Sequence, residues 1–194
     1  ESQLYPGGSN ALRNIPANPN ANPAANVYLY QTWARPDLTY PAGAPYAGEP
    51  LETMTADLQG AYAQAAATHG GITGVVPVGE AFIRAVQSGV ALRDPYLAQN
   101  KGFDLWWHED QFHPSGHGAY LSALVMFGAI TRIDPASFGA TERAARDLGI
   151  PPLHAMQMQT VASQQLRASG HALERSPCLA AGKPVPALGR CAAR

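Results

Sequence analysis

The chain has 194 residues, 46% of them hydrophobic and 14% charged, with a formal net charge of −1. That length suits one domain with a sizeable core, and the balanced charge gives no reason to expect nucleic acid or an anionic membrane as partner. No run of about 18 or more apolar residues marks a membrane span; the nearest approach, 115–131, is interrupted by His117, Ser122 and several glycines.

Residues 1–26 are rich in Asn, Pro, Gly and Ala, and Pro16, Pro19 and Pro23 forbid a continuous helix. They read as an extended covering segment. VYLYQTW, 27–33, is β-branched and aromatic at its start and nearly apolar throughout, as expected of a strand buried on both faces in a parallel sheet. A long loop follows. Pro50 then opens a helix whose Leu51, Met54, Leu58, Tyr62 and Ala65 step by three or four onto one face. Gly70 and Gly71 end it. Residues 72–78 form a second short apolar strand, and a helix near 80–88 carries Phe82, Ile83 and Val86. Ser115 caps a helix to about Thr131 that is apolar nearly all round and so expected to be buried. Further helices are expected near 141–148 and from Pro152 to about Ser169. The methionines at 54, 126, 156 and 158 fall in helical patterns as packing residues.

Strand, helix, strand, helix means α/β with a parallel pair and a right-handed crossover. Two strands are fewer than such a sheet normally has, so the chain reads as its C-terminal portion, spanning 27–170. The remainder, 171–194, is a Pro/Gly-rich tail holding both cysteines, Cys178 and Cys191. A disulfide between them is expected, which implies an oxidising compartment, secreted or periplasmic. Two free thiols are the plainer alternative, and two cysteines without histidine partners are too few for a metal. The sequence shows no signal peptide and starts abruptly at Glu1, so a mature, processed or truncated product is expected.

Asp104 to Leu124 reads DLWWHEDQFHPSGHGAYLSAL. Three histidines, three acidic residues and two tryptophans crowd ahead of an apolar run. Asp110 and His113 are three apart, so the carboxylate can hold one ring nitrogen and leave the other as a base. Ligands of open α/β sheets bind beyond the carboxyl ends of the strands, where Gln31, Thr32, Trp33, Arg35, Gly79 and Glu80 are expected. Trp33 and Arg35, with Trp106 and Trp107, are therefore candidate substrate contacts. Glu80 either binds substrate or bridges to Arg84. Taken alone, Asp-x-x-His is equally well a solvated loop with a helix cap.

The pattern Asp110, His113, Pro114, Ser115, Gly118, Tyr120 and Leu121 resembles the last conserved block of the SGNH (GDSL-type) hydrolases. The order VYLYQTWARPD, helix, GVVPVGEAF, then the Asp–His block is similar to the C-terminal half of bacterial members, over about residues 25–170. The resemblance implies a flavodoxin-like three-layer α/β/α fold and ester hydrolysis through a Ser-His-Asp triad. It assigns His113 as general acid/base and Asp110 as its orienting partner, with no metal or organic cofactor. It leaves the nucleophile unassigned. That serine belongs just after the family's first strand, and Ser9, in GGSN, follows no buried strand. Asn10 is an equally poor match for the oxyanion-hole asparagine. A segment outside this chain, upstream or on a second chain, is thus expected to complete the sheet and supply the serine.

Two rival readings use the same residues. His108, Asp110, His113 and His117 could together ligate a transition metal, although the helix start at Ser115 separates His113 from His117. Alternatively, the chain is a catalytically inactive carbohydrate-binding or assembly module that keeps the cleft without the chemistry.

Overall fold

The computed structural model describes residues 26–68, 71–97 and 102–175. Ser9, Asn10, Cys178 and Cys191 lie outside the described residues, and with them the expected covering segment and disulfide. In chain order the elements are β1 (Val27–Tyr30), α1 (Pro36–Thr39), α2 (Leu51–Thr68), β2 (Ile72–Val76), α3 (Val78–Gln87), α4 (Gly116–Thr131), a 3-10 turn (Pro135–Ser137), α5 (Arg143–Asp147) and α6 (Pro152–Ala168). The architecture is mixed α/β. Among the described residues its sheet is a single parallel pair of β1 and β2, joined through α2 as the pattern requires. No helix among the described residues is long and apolar enough to cross a membrane.

The register pairs Tyr28 with Gly74, Leu29 with Val75 and Tyr30 with Val76. Strand β1 is shorter than expected: ladder geometry ends at Tyr30, with one further bond from Gln31 N to Val76 O. Nor is it buried on both faces. Val27 is exposed, Tyr28 and Tyr30 are half-buried, and only Leu29 is buried. The remainder of VYLYQTW lies beyond the ladder, and Pro36 starts α1 with its fixed φ, inside what the sequence suggests is loop.

Helix α2 buries the face its spacing predicts, namely Leu51, Met54, Leu58, Tyr62 and Ala65. Each large apolar side chain removed from water there is worth about 1.5–3 kcal/mol. Helix α3 starts earlier than expected, at Val78, so Gly79 and Glu80 sit in its first turn rather than on the strand. Gly79 is required there. A Cβ at that position would lie 2.1 Å from the carbonyl oxygen of Thr32, so the helix start and the end of β1 touch backbone to backbone.

Helix α4 begins as expected, with Ser115 Oγ accepting from Gly118 N at 3.1 Å. Its burial corrects the expectation of an all-round core helix. Tyr120, Leu121, Leu124 and Val125 are buried, while Met126, Phe127 and Ile130 are exposed. Helix α5 begins at Arg143, slightly later than the expected 141, and is capped by Glu142, whose carboxylate accepts from Ala144 N and Ala145 N. Helix α6 packs along α4 and closes the core with Met158, Val161, Ala162 and Leu166.

Candidate active site

Residues 103–115 form a narrow loop whose base is stitched to itself. Trp106 bridges to Pro114 in antiparallel fashion, and Ser115 N donates to Leu105 O at 2.9 Å. Ser115 Oγ also donates to Asp104 O at 2.7 Å. The start of α4 is thereby anchored to the incoming strand-like arm. At the tip, Trp107 N donates to His113 O at 2.7 Å, and Gln111 N donates to Trp107 O at 2.8 Å.

Gln111 reverses the chain with φ 54°. A side chain in that left-handed region costs about 1–2 kcal/mol. Gln111 is also buried, with its Oε1 lacking a hydrogen-bond partner. The consequence is local and specific. Asp110 Oδ1 accepts from Phe112 N at 2.8 Å and from His113 N at 3.0 Å. Its other oxygen, Oδ2, accepts from His113 Nδ1–H at 2.5 Å. The carboxylate is therefore held at both oxygens, and in the neutral imidazole it favours the tautomer with the proton on Nδ1. The His113 hydrogen bond, followed by the two backbone N–H groups, holds the Asp110 carboxyl down at about 2 despite an opposing contribution from burial. The His113 side chain is 60% exposed, and among the described residues Nε2 has no hydrogen-bond partner.

The segment that follows β1 reaches this loop. Trp33 Nε1–H donates to Phe112 O at 3.0 Å, and the Trp33 ring stacks on Phe82 at 4.8 Å. The Arg35 guanidinium lies over the Phe112 ring, 3.7 Å from its centroid. Both residues grip the residue next to His113. Arg35 is also committed to Asp37, at 2.6 Å and 3.1 Å, so it braces the loop as one half of an ion pair. Trp107 is exposed, with its ring edge-on to His113 at 6.5 Å; of the four candidate contacts it alone offers an open apolar face beside His113. Trp106 is in the core, 2% exposed, with Nε1–H on Ala34 O at 3.1 Å. Glu80 does not bridge to Arg84. It accepts from Gln59 Nε2 at 2.7 Å, while Arg84 Nε donates to Gln165 Oε1. Burial raises the Glu80 carboxyl, and Arg84 only partly counters this.

The four residues considered as metal ligands do not converge. His113 pairs with Asp110, whereas His117 turns towards α6 and pairs with His154 at 3.1 Å. Among the described residues no group of three or more His, Cys, Asp or Glu is placed to hold a metal ion.

Phe112 braces the site without any mark in the sequence, and Asp37 and Gly118, which lie in the quoted sequence patterns without an assigned role, brace it as well. At Gly118 a Cβ would lie 2.1 Å from Leu105 O and 3.1 Å from the Phe82 ring. The serines nearest in sequence are occupied. Ser115 caps α4, and Ser122 Oγ donates to Gly118 O at 2.8 Å. Comparison of the chain with protein-family models, with curated proteins and with solved structures returns no match.

Proposed function

We propose that this chain carries the general acid/base half of a serine-type carboxylic-ester hydrolase of the SGNH kind. The observation that supports it most is the clamped Asp110 carboxylate holding His113 Nδ1 at 2.5 Å while the ring stays open to solvent. A surface ion pair formed for stability alone needs no fixed tautomer and contributes little. Here, by contrast, both carboxylate oxygens and a left-handed Gln111 are spent on one ring orientation.

In this reading His113 Nε2 takes the proton of a serine hydroxyl as the serine oxygen bonds to the acyl carbon. It returns that proton to the departing alcohol as the ester C–O bond breaks. A water molecule then repeats the sequence on the acyl-enzyme, releasing the carboxylic acid and regenerating the serine. Asp110 keeps the tautomer and stabilises the imidazolium. Trp107 is the proposed apolar wall for substrate, and Trp33 and Arg35 act through Phe112 on the position of His113. The serine is proposed to come from an upstream segment or a second chain that also adds strands to the sheet. The exposed apolar side chains Met126, Phe127 and Ile130 on α4 and the incomplete burial of β1 are consistent with such a neighbour. Export from a bacterium to the periplasm or beyond belongs to the same proposal.

The test is reconstitution. The 194-residue chain alone should not cleave short-chain p-nitrophenyl esters, and supplying the upstream segment should confer activity. In that assembly His113→Ala should lower kcat by about 10³-fold or more, since triad members act as a unit, whereas His108→Ala should leave it nearly unchanged. Ester cleavage that survives His113→Ala would refute the assignment. A complete assembly that binds oligosaccharide but hydrolyses no ester would favour the inactive-module reading instead.

A further inference from the structure

We propose that His117 and His154 form a two-imidazole site for a first-row transition-metal dication of the Zn²⁺, Ni²⁺ and Cu²⁺ class, linking the first turn of α4 to the first turn of α6. The site is independent of the Asp110–His113 pair and of the ester-hydrolase reading.

Geometry carries the proposal. His117 Nε2 and His154 Nδ1 are 3.1 Å apart. Two imidazole nitrogens bound to one ion at about 2.0–2.1 Å lie about 2.9 Å apart at a right angle and about 3.4 Å apart at the tetrahedral angle. The observed separation falls between these limits. The ring centroids are 5.3 Å apart, against about 5.2 Å for two imidazoles on a tetrahedral ion. An ion can replace the shared proton once the two rings tilt to the same side of the N–N line, so that both lone pairs converge on one point.

The rings are held ready for this. Phe103, which is buried, stacks on His117 at 4.4 Å and 13° and contacts His154 at 4.8 Å. Such support fixes ring orientation, which two ligands on separate helices otherwise lack. With two nitrogen ligands and no third protein ligand among the described residues, the other coordination positions fall to water. The set suits nitrogen-seeking ions and not Mg²⁺ or Ca²⁺.

The experiment is titration of the full chain with CuCl₂, NiCl₂, ZnCl₂ and, as control, MgCl₂, read by calorimetry and by thermal unfolding. One equivalent of Cu²⁺, Ni²⁺ or Zn²⁺ should bind and raise the Tm, with Cu²⁺ tightest, and Mg²⁺ should do neither. His117→Ala and His154→Gln should each weaken binding at least tenfold while His108→Ala retains it. Circular dichroism should confirm that the His154→Gln protein is folded, since glutamine preserves a polar partner for His117. The Cu²⁺ complex should show nitrogen hyperfine structure from two imidazoles. Absence of saturable binding overturns the proposal. So does binding that survives both substitutions, which would move the ligands elsewhere, Cys178 and Cys191 included.

Discussion

Gly118→Ala tests whether α4 is pressed directly onto the arm of the His113 loop. In the native structure the new Cβ would sit 2.1 Å from Leu105 O and 3.1 Å from Phe82 Cζ, where real Cβ atoms essentially never come closer than 3.0 Å. The closest obstacle is backbone and cannot rotate away, so the helix and the arm must separate by about 1 Å, an overpacking strain of about 1–3 kcal/mol. That separation also weakens Ser115 N to Leu105 O, at 2.9 Å, and the Ser115 cap on Gly118 N, at 3.1 Å, each worth about 1 kcal/mol. Against this, alanine gains about 1 kcal/mol of helix propensity over glycine. The net expectation is a loss of about 2–4 kcal/mol. Gly116→Ala is the matched control: it lies in the same helical turn with nothing within 4 Å of its Cβ, so it should keep a helix-propensity gain of up to about 1 kcal/mol with no clash against it. Urea unfolding followed by tryptophan fluorescence reads both. With a slope of about 2 kcal/mol/M, Gly118→Ala should lower the midpoint by about 1–2 M. A Gly118→Ala protein as stable as its Gly116→Ala counterpart would refute the close approach and, with it, the mechanical coupling of α4 to the loop.

The Asp110 carboxyl, followed by its carbon-13 shift, should titrate near 2 and not at the ordinary value of about 3.9. Because the folded value is depressed, its stabilisation of the loop is complete above about pH 4 and is lost as pH falls through about 2; a midpoint near 4 would mean the clamp does not form in solution. Trp33→Phe keeps an aromatic ring on Phe82 but deletes the donor to Phe112 O, so amide exchange across 107–113 should quicken at a stability cost of about 1 kcal/mol; unchanged exchange there would show that Trp33 does not hold the loop. Peptide mapping without reductant should find Cys178 joined to Cys191, a short loop worth about 3 kcal/mol in the chain-entropy model. Two free thiols would remove the argument for an oxidising compartment.

What the sequence by itself determined lies within a few residues of chain. The three-and-four stepping of α2, the Ser115 cap and the reach of Asp110 to His113 all follow from local geometry, because backbone periodicity dictates which near neighbours share a face or a turn. The parallel pairing of β1 with β2 was also legible, since an intervening helix permits little else. Tertiary structure decided the rest. Trp33 meets Phe112 across 79 positions, and His117 meets His154 across 37; no periodic signal announces either meeting. Of two adjacent tryptophans, Trp106 went to the core and Trp107 to the surface, because successive side chains in an extended arm point opposite ways and only docking decides which side is buried. The uniform apolarity of α4 likewise could not say which face lacks a neighbour. Its exposed Met126, Phe127 and Ile130 emerge only once α3 and α6 have covered the opposite side, for hydrophobicity sets the tendency to be buried while packing partners decide where burial occurs.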